Sequence, residues 1–315
     1  MLNRRHLRVK VLQTLYAYYQ SQNKAVNVFE KSLLKSVDEV YEMYIWVLSL
    51  LIEVADYVSV NAEERANKHL PSEDDLNADI RLQNNKFIAT LRKNQEYLEN
   101  VKKYKISWDF DPEVAKNIFT ELKTSEEYQA YLKQEDLTIL KDKDIIKHIF
   151  KKIILKLPAV EQVFEEKFIN WPTDKEVLQA LIAKTFKNFS SENAKENKLA
   201  PLCPNWTEDR EFIIDLFRRS IADNDENQES IAQKTKNWEA ERIAMIDTLL
   251  MKMAITEFIH FSSIPVKVTI NEYLEISKEF STPKSNSFIN GILDKILADL
   301  KLTGKIHKFG RGLIE

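Results

Sequence analysis

Residues 264–294 read IPVKVTINEYLEISKEFSTPKSNSFINGILD, which spells two helices separated by a polar break. Thr269-Ile270-Asn271-Glu272 fits a capping box, with Thr269 as N-cap and Glu272 three residues on. Val268 and Tyr273 occupy the positions of a hydrophobic staple, so the spacing predicts a helix running to about Phe280. A second helix is predicted from Ser285, a favoured N-cap. Its apolar stripe is Phe288, Ile289, Ile292, Leu293, Ile296 and Leu300. Gly291 falls inside that helix, where glycine costs roughly 1 kcal/mol relative to alanine. Close approach by another helix would account for it, and so would a tolerated accident.

Gly291 is also the first glycine in the chain. The 315 residues hold only 4, the others being Gly304, Gly310 and Gly312. Phosphate-cradling loops and nucleophile elbows rely on glycine for positive φ or for close ligand approach. A Walker loop, a Rossmann fingerprint and a GxSxG elbow are therefore absent from residues 1–290. Tight hairpins also lean on glycine. A glycine-free chain rich in Leu, Lys, Glu and Ala reads as all-α.

Working outward, Arg210–Ala222 and Ala240–Phe261 read as amphipathic helices, the second stopped by Ser262-Ser263-Ile264-Pro265. At the other end, Leu7, Val11, Leu12, Leu15, Tyr18 and Tyr19 share one helical face. His6, Lys10, Gln13, Ala17 and Gln20 lie opposite. Further helices are predicted over about Val26–Ser36 and Val37–Val60. Between 61 and 208, charged helical stretches alternate with breaks at Pro71–Asp75, Ser107–Pro112, Pro172–Asp174 and Ser190–Pro204. Asp144–Leu157 is strongly apolar and ends before Pro158.

Composition excludes several classes. Cys203 is the only cysteine, so there is no intramolecular disulfide and no CxxC knuckle. The histidines His6, His69, His148, His260 and His307 are scattered, with no HExxH, and no metal or cofactor is expected. The longest uncharged apolar run, Met43–Ile52, falls short of the roughly 20 residues a bilayer requires. A cytoplasmic protein is expected. The Arg-rich N-terminus has some features of a transit peptide but is poor in serine and runs straight into a tyrosine-rich helix. Net charge is -3, yet Arg4, Arg5, Arg8, Lys10 and Lys24 stand among the first 24 residues without an acid. Lys301, Lys305, Lys308 and Arg311 face only Glu315 in the tail. The ends are basic and the middle acidic.

Two stretches carry a family resemblance. Arg4-Arg5-His6-Leu7-Arg8, continuing to Gln13-Thr14-Leu15-Tyr16, resembles the opening helix of NusB proteins. Residues 264–294 are similar to that family's C-terminal signature nearly position for position, and Lys236-Asn237-Trp238 with Ile246–Ala254 resembles the segment before it. Val9 departs from the glutamate common there, and family members are usually less than half this length. The resemblance implies a NusB-like helical bundle with an inserted helical region. Residues 1–60 and 209–303 would form the core, 61–208 an insertion of unknown role, and 304–315 a basic tail. Arg210–Asn224 would then be the family's third helix rather than Val37–Val60.

The function so implied is non-enzymatic. It is binding of single-stranded boxA leader RNA with the ribosomal protein NusE, within an antitermination complex that carries RNA polymerase through terminators. Arg4, Arg5 and Arg8 are placed to reach outward to phosphates. The start of the last helix offers Lys284, Ser285, Ser287, Phe288 and Asn290 beside a positive dipole end. Phe288 fits both a stacking platform and the core stripe. Tyr16, Asp247 and Glu257 match positions used toward NusE, although Tyr16 and Glu257 suit packing or solvent equally well. An RNA-modifying enzyme would need a cofactor site that the glycine-free middle does not supply. A helical protein-interaction scaffold that keeps the fold without RNA binding is the alternative.

Overall fold

The computed structural model describes residues 1–135, 138–235 and 243–313, and their regular secondary structure is entirely helical. In chain order the α-helices are α1 (Arg4–Gln20), α2 (Val26–Ala66), α3 (Glu73–Leu76), α4 (Lys86–Arg92) and α5 (Gln95–Tyr104). Next come α6 (Glu113–Lys123), α7 (Glu126–Leu132), α8 (Ile139–His148), α9 (Pro158–Lys167) and α10 (Trp171–Asn188). The last are α11 (Trp206–Ala222), α12 (Asn224–Lys234), α13 (Met245–His260), α14 (Val266–Phe280) and α15 (Ser285–Leu302). The chain packs as two compact units, one of Asp38–Leu202 with Met1, the other of Leu2–Val37 with Cys203–Glu315.

In the second unit α13 is the central helix. Leu249–Phe258 is buried without a break, and α1, α11, α12, α14 and α15 pack around it. A helix buried on all sides is a core element, and its polar members Lys252, Thr256 and Glu257 are each hydrogen-bonded. Each buried Leu, Ile, Met or Phe contributes roughly 1.5–3 kcal/mol of burial free energy. Helix α1 is buried almost as completely, and Lys10 is 1% exposed rather than on a solvent face. Asn3 caps α1 by accepting from the His6 N–H at 3.0 Å, and the Asn3 N–H donates back to His6 Nδ1 at 3.4 Å. No acid follows in the first turn to complement this cap.

Several expectations change. The two helices predicted over 26–60 are one, α2. Helix α14 starts at Val266, straight after Pro265, so Thr269 lies inside it and the capping box does not form. Proline's fixed φ suits a helix start, and the Thr269 hydroxyl is recruited by buried Glu257 instead, at 2.7 Å. Helix α15 starts at Ser285 as predicted, but the Ser285 hydroxyl donates to Asp247 rather than capping the helix. Gly291 is exposed, and a Cβ there would meet nothing within 4 Å, so no close helix approach explains it. The basic tail is engaged with the core. Lys305 pairs with Glu226, and Lys308 Nζ donates to the carbonyls of Glu257 and Phe261 at the C-terminal end of α13. The resemblance at Lys236-Asn237-Trp238 and the predicted helix start at Ala240 lie outside the described residues.

In the other unit, α2 from residue 38 is the spine. Met43–Leu48, Leu50, Leu51, Val54 and Ala55 are all buried. By length and composition α2 is apolar enough to cross a membrane, but 72% of its apolar window is buried within the protein. Residues 38–60, placed with the core from sequence, thus pack with the insertion. Pro158 and Pro172 do not interrupt helices here; each sits in a first turn, of α9 and α10, where its missing N–H is not needed. Asp142 ties the unit's helices by accepting from the Lys86 N–H at 2.7 Å and the Tyr131 hydroxyl at 3.0 Å.

Candidate nucleic-acid interface

Two clefts of the second unit contain most of the residues singled out from sequence. The larger, about 690 Å³, is lined by Arg4, Arg5 and Arg8 from α1, with Glu208, Ser263, Pro265 and Glu272 among its other walls. Arg8 is 1% exposed. Its Nε and Nη2 donate to both Glu257 carboxylate oxygens, at 2.8 and 2.6 Å. Tyr273 and Thr269 also donate to that carboxylate, at 3.2 and 2.7 Å. Burial opposes the Arg8 charge, yet Glu257 more than offsets it and holds the guanidinium above its ordinary pKa.

Arg5 makes a second two-pronged pair, to Glu272 at 3.1 and 2.9 Å, which raises its pKa. Arg4 pairs with Glu208 at 2.6 Å and Asp209 at 3.0 Å while lying over the Phe212 ring. The three guanidiniums therefore stand against Glu208, Asp209, Glu257 and Glu272. This corrects the expectation that Arg8 reaches outward without desolvation. Helix α1 packs against α11, α13 and α14, and Arg8 lies on the side turned toward them, so its side chain enters the core. Arg4 and Arg5 remain partly exposed.

The smaller cleft, about 410 Å³, lies at the start of α15 and is lined by Ile243, Asp247, Thr282, Lys284, Ser285, Ser287 and Phe288. Lys284 and Ser287 are exposed, and Phe288 and Asn290 are partly exposed. Ser285 is buried and donates to Asp247 at 2.6 Å; Ser281 donates to the other Asp247 oxygen at 2.5 Å. Asn290 donates to Asp294 one turn along, at 3.2 Å. Ser285 thus braces the helix start, whereas Lys284, Ser287 and Phe288 form the open wall.

The positions matched to partner contacts separate too. Tyr16 is 40% exposed. Glu257 is 0% exposed and Asp247 is buried, so neither is a surface contact. Glu257 neutralises Arg8, and Asp247 accepts from two serine hydroxyls. Asp247 and Glu257 are ten residues apart on α13, about 15 Å along its axis.

Sequence reasoning missed Glu208, Asp209 and Glu272 as counter-charges, since ion pairs between residues over 200 apart leave no local signal. The Arg8–Glu257 pair had one indirect sign, an acid inside the mainly apolar run of α13.

These features define a helical bundle with an inserted helical unit, presenting one compensated and one open polar cleft. The NusB family model matches residues 175–298. The transcription antitermination protein NusB of Salinibacter ruber (strain DSM 13855 / M31) is 38% identical over 156 residues, covering 50% of this chain and 89% of that protein. That of Chloroherpeton thalassium (strain ATCC 35110 / GB-78) is 42% identical over 106 residues, 34% of this chain and 50% of the relative. That of Symbiobacterium thermophilum is 29% identical over 143 residues, 45% and 86% respectively. No solved structure matches the chain. The chain belongs to the NusB family.

Proposed function

We propose that the chain is a transcription antitermination factor that binds boxA-type single-stranded RNA together with ribosomal protein NusE and promotes read-through by RNA polymerase. The observation that carries this reading is the open wall of Lys284, Ser287 and Phe288 at the positive end of α15. It supplies a cation for phosphate and an aromatic face for a base, while the Ser287 hydroxyl, which donates to the Lys284 carbonyl at 3.1 Å, leaves its oxygen to accept from a base edge. The free N–H groups of a helix start add to the attraction for phosphate. Asn290 extends this wall toward base edges, and Ser285 supports it from beneath. Tyr16 is the exposed group offered to NusE.

Arg4 and Arg5 contribute only when RNA phosphates replace Glu208, Asp209 and Glu272. With few uncompensated cations, affinity for RNA alone is weak. Each phosphate contact changes the salt slope of log K by about 0.7 for single strands. A second protein adding contacts to the same RNA raises the affinity through linked binding.

The ion-paired state of all three arginines favours one rival, a helical scaffold that contacts proteins and not RNA. Titrating boxA-like and scrambled RNA into the full chain, with and without NusE, separates the two. Antitermination predicts preference for boxA and tightening by NusE. Equal binding to both RNAs supports the scaffold.

A further inference from the structure

The Asp38–Leu202 unit has its own cleft, of about 320 Å³, between the middle of α2 and the segment that leads into α6. Six carboxylates line it: Glu53, Asp56, Glu64, Asp109, Asp111 and Glu113. The resident cations are few. Arg92 holds Asp56 at 2.6 Å and Lys116 holds Glu113 at 3.0 Å. Glu53 makes no ion pair among the described residues. Its burial, with Asp56 and Asp109 beside it, raises its pKa above the ordinary carboxylate value.

A second observation is independent of this charge. Trp108 lines the same cleft, is 4% exposed, and has an indole N–H with no acceptor among the described residues. Buried donors are ordinarily satisfied, and leaving one unmet costs about 1–3 kcal/mol. Tyr57 and Val60 supply the apolar part of the wall, and Val60 is exposed.

The occupant must therefore bring positive charge, a hydrogen-bond acceptor and some apolar surface. RNA phosphates are repelled by the carboxylates. A bare metal ion has no grouping of three acidic, His or Cys ligands to hold it among the described residues. A basic polypeptide meets every requirement, because its Lys or Arg side chains suit the carboxylates and its backbone carbonyls suit the indole N–H. We propose that this cleft docks a lysine- and arginine-rich segment of a partner protein, giving the insertion a protein-binding role separate from RNA binding.

The test uses the full chain and a short fluorescein-labelled Arg-Gly peptide, followed by anisotropy at low and at physiological salt. Glu53→Gln with Asp109→Asn should weaken binding about tenfold, as expected for two partly exposed charge contacts. Trp108→Phe, which keeps a ring but removes the N–H, should weaken it about fivefold. Glu99→Gln with Glu176→Gln removes the same charge from exposed positions outside the cleft and should leave binding unchanged. Should the Glu53 variant lose helicity, Asp109→Asn alone decides, since Asp109 is exposed. Wild-type affinity in the cleft variants overturns the proposal. So does equal weakening by the control pair, or displacement of the peptide by magnesium or by single-stranded RNA.

Discussion

Replacing Arg8 with alanine leaves the Glu257 carboxylate buried, with the Thr269 and Tyr273 hydroxyls as its remaining hydrogen-bond donors among the described residues. Breaking a buried pair from one side typically destabilises by about 3–5 kcal/mol, because the surviving charge stays desolvated. Urea unfolding of Arg8→Ala should show a loss of that size. A loss under about 1 kcal/mol, the range of exposed pairs, would mean that Arg8 does not serve the core. Arg8 also shows where sequence reading stops. An arginine near a chain end looks like a free cation, and only the packing of α1 against α13 and α14 turns it inward. Arg4 and Arg5, on the same helix, stay partly exposed and keep their acids at the surface.

At the scale of elements, the junction of α2 and α3 is held electrostatically. Asp75 accepts from Lys68 and Arg65, each at 2.8 Å, and from the Ser72 N–H. These contacts, Lys68 foremost, hold its carboxyl well below the ordinary carboxylate pKa. The folded state therefore binds a proton at Asp75 less readily than the unfolded chain does. Its contribution is complete above about pH 4 and declines as pH falls below that. Protection of the α3 amides, taken as the intrinsic over the observed exchange rate at each pH, should fall on acidification through this window, and Asp75→Asn should remove that dependence. An unchanged pH profile in the variant would contradict the assignment. Helix existence was readable from apolar spacing because that pattern is local, as in α11 and α15, whereas α13, read as amphipathic, is buried on every side. Helix starts were less so. Thr269 has every local mark of an N-cap, but its hydroxyl serves Glu257 from the next helix, a demand invisible in nearby sequence.

For the whole molecule, charge is divided between the units. Residues 38–202 carry 24 Lys and Arg against 30 Asp and Glu, while the remainder carries 22 against 19. The sequence shows this division, with basic ends and an acidic middle. It does not show that the spine of the insertion begins inside α2, because the polar stretch Lys35–Glu39 reads as a break between two helices where the structure runs one helix through. The consequence is testable by excision. Deleting 61–208 strips the covering from Met43–Ala55, so that product should aggregate in size-exclusion chromatography. Deleting 38–202, with Val37 joined to Cys203 through a flexible linker, should leave a soluble helical protein. The reverse outcome would contradict the division into units.

The central claim is that RNA is held at the open start of α15 rather than by the arginine cluster. It is tested most directly by the salt dependence of boxA RNA binding in the presence of NusE, comparing the native chain with Lys284→Gln and Phe288→Leu. Lys284→Gln should reduce the slope of log K against log salt by about 0.7. Phe288→Leu should cost about 1–3 kcal/mol of affinity with the slope unchanged. Native slope and native affinity in both variants would contradict it.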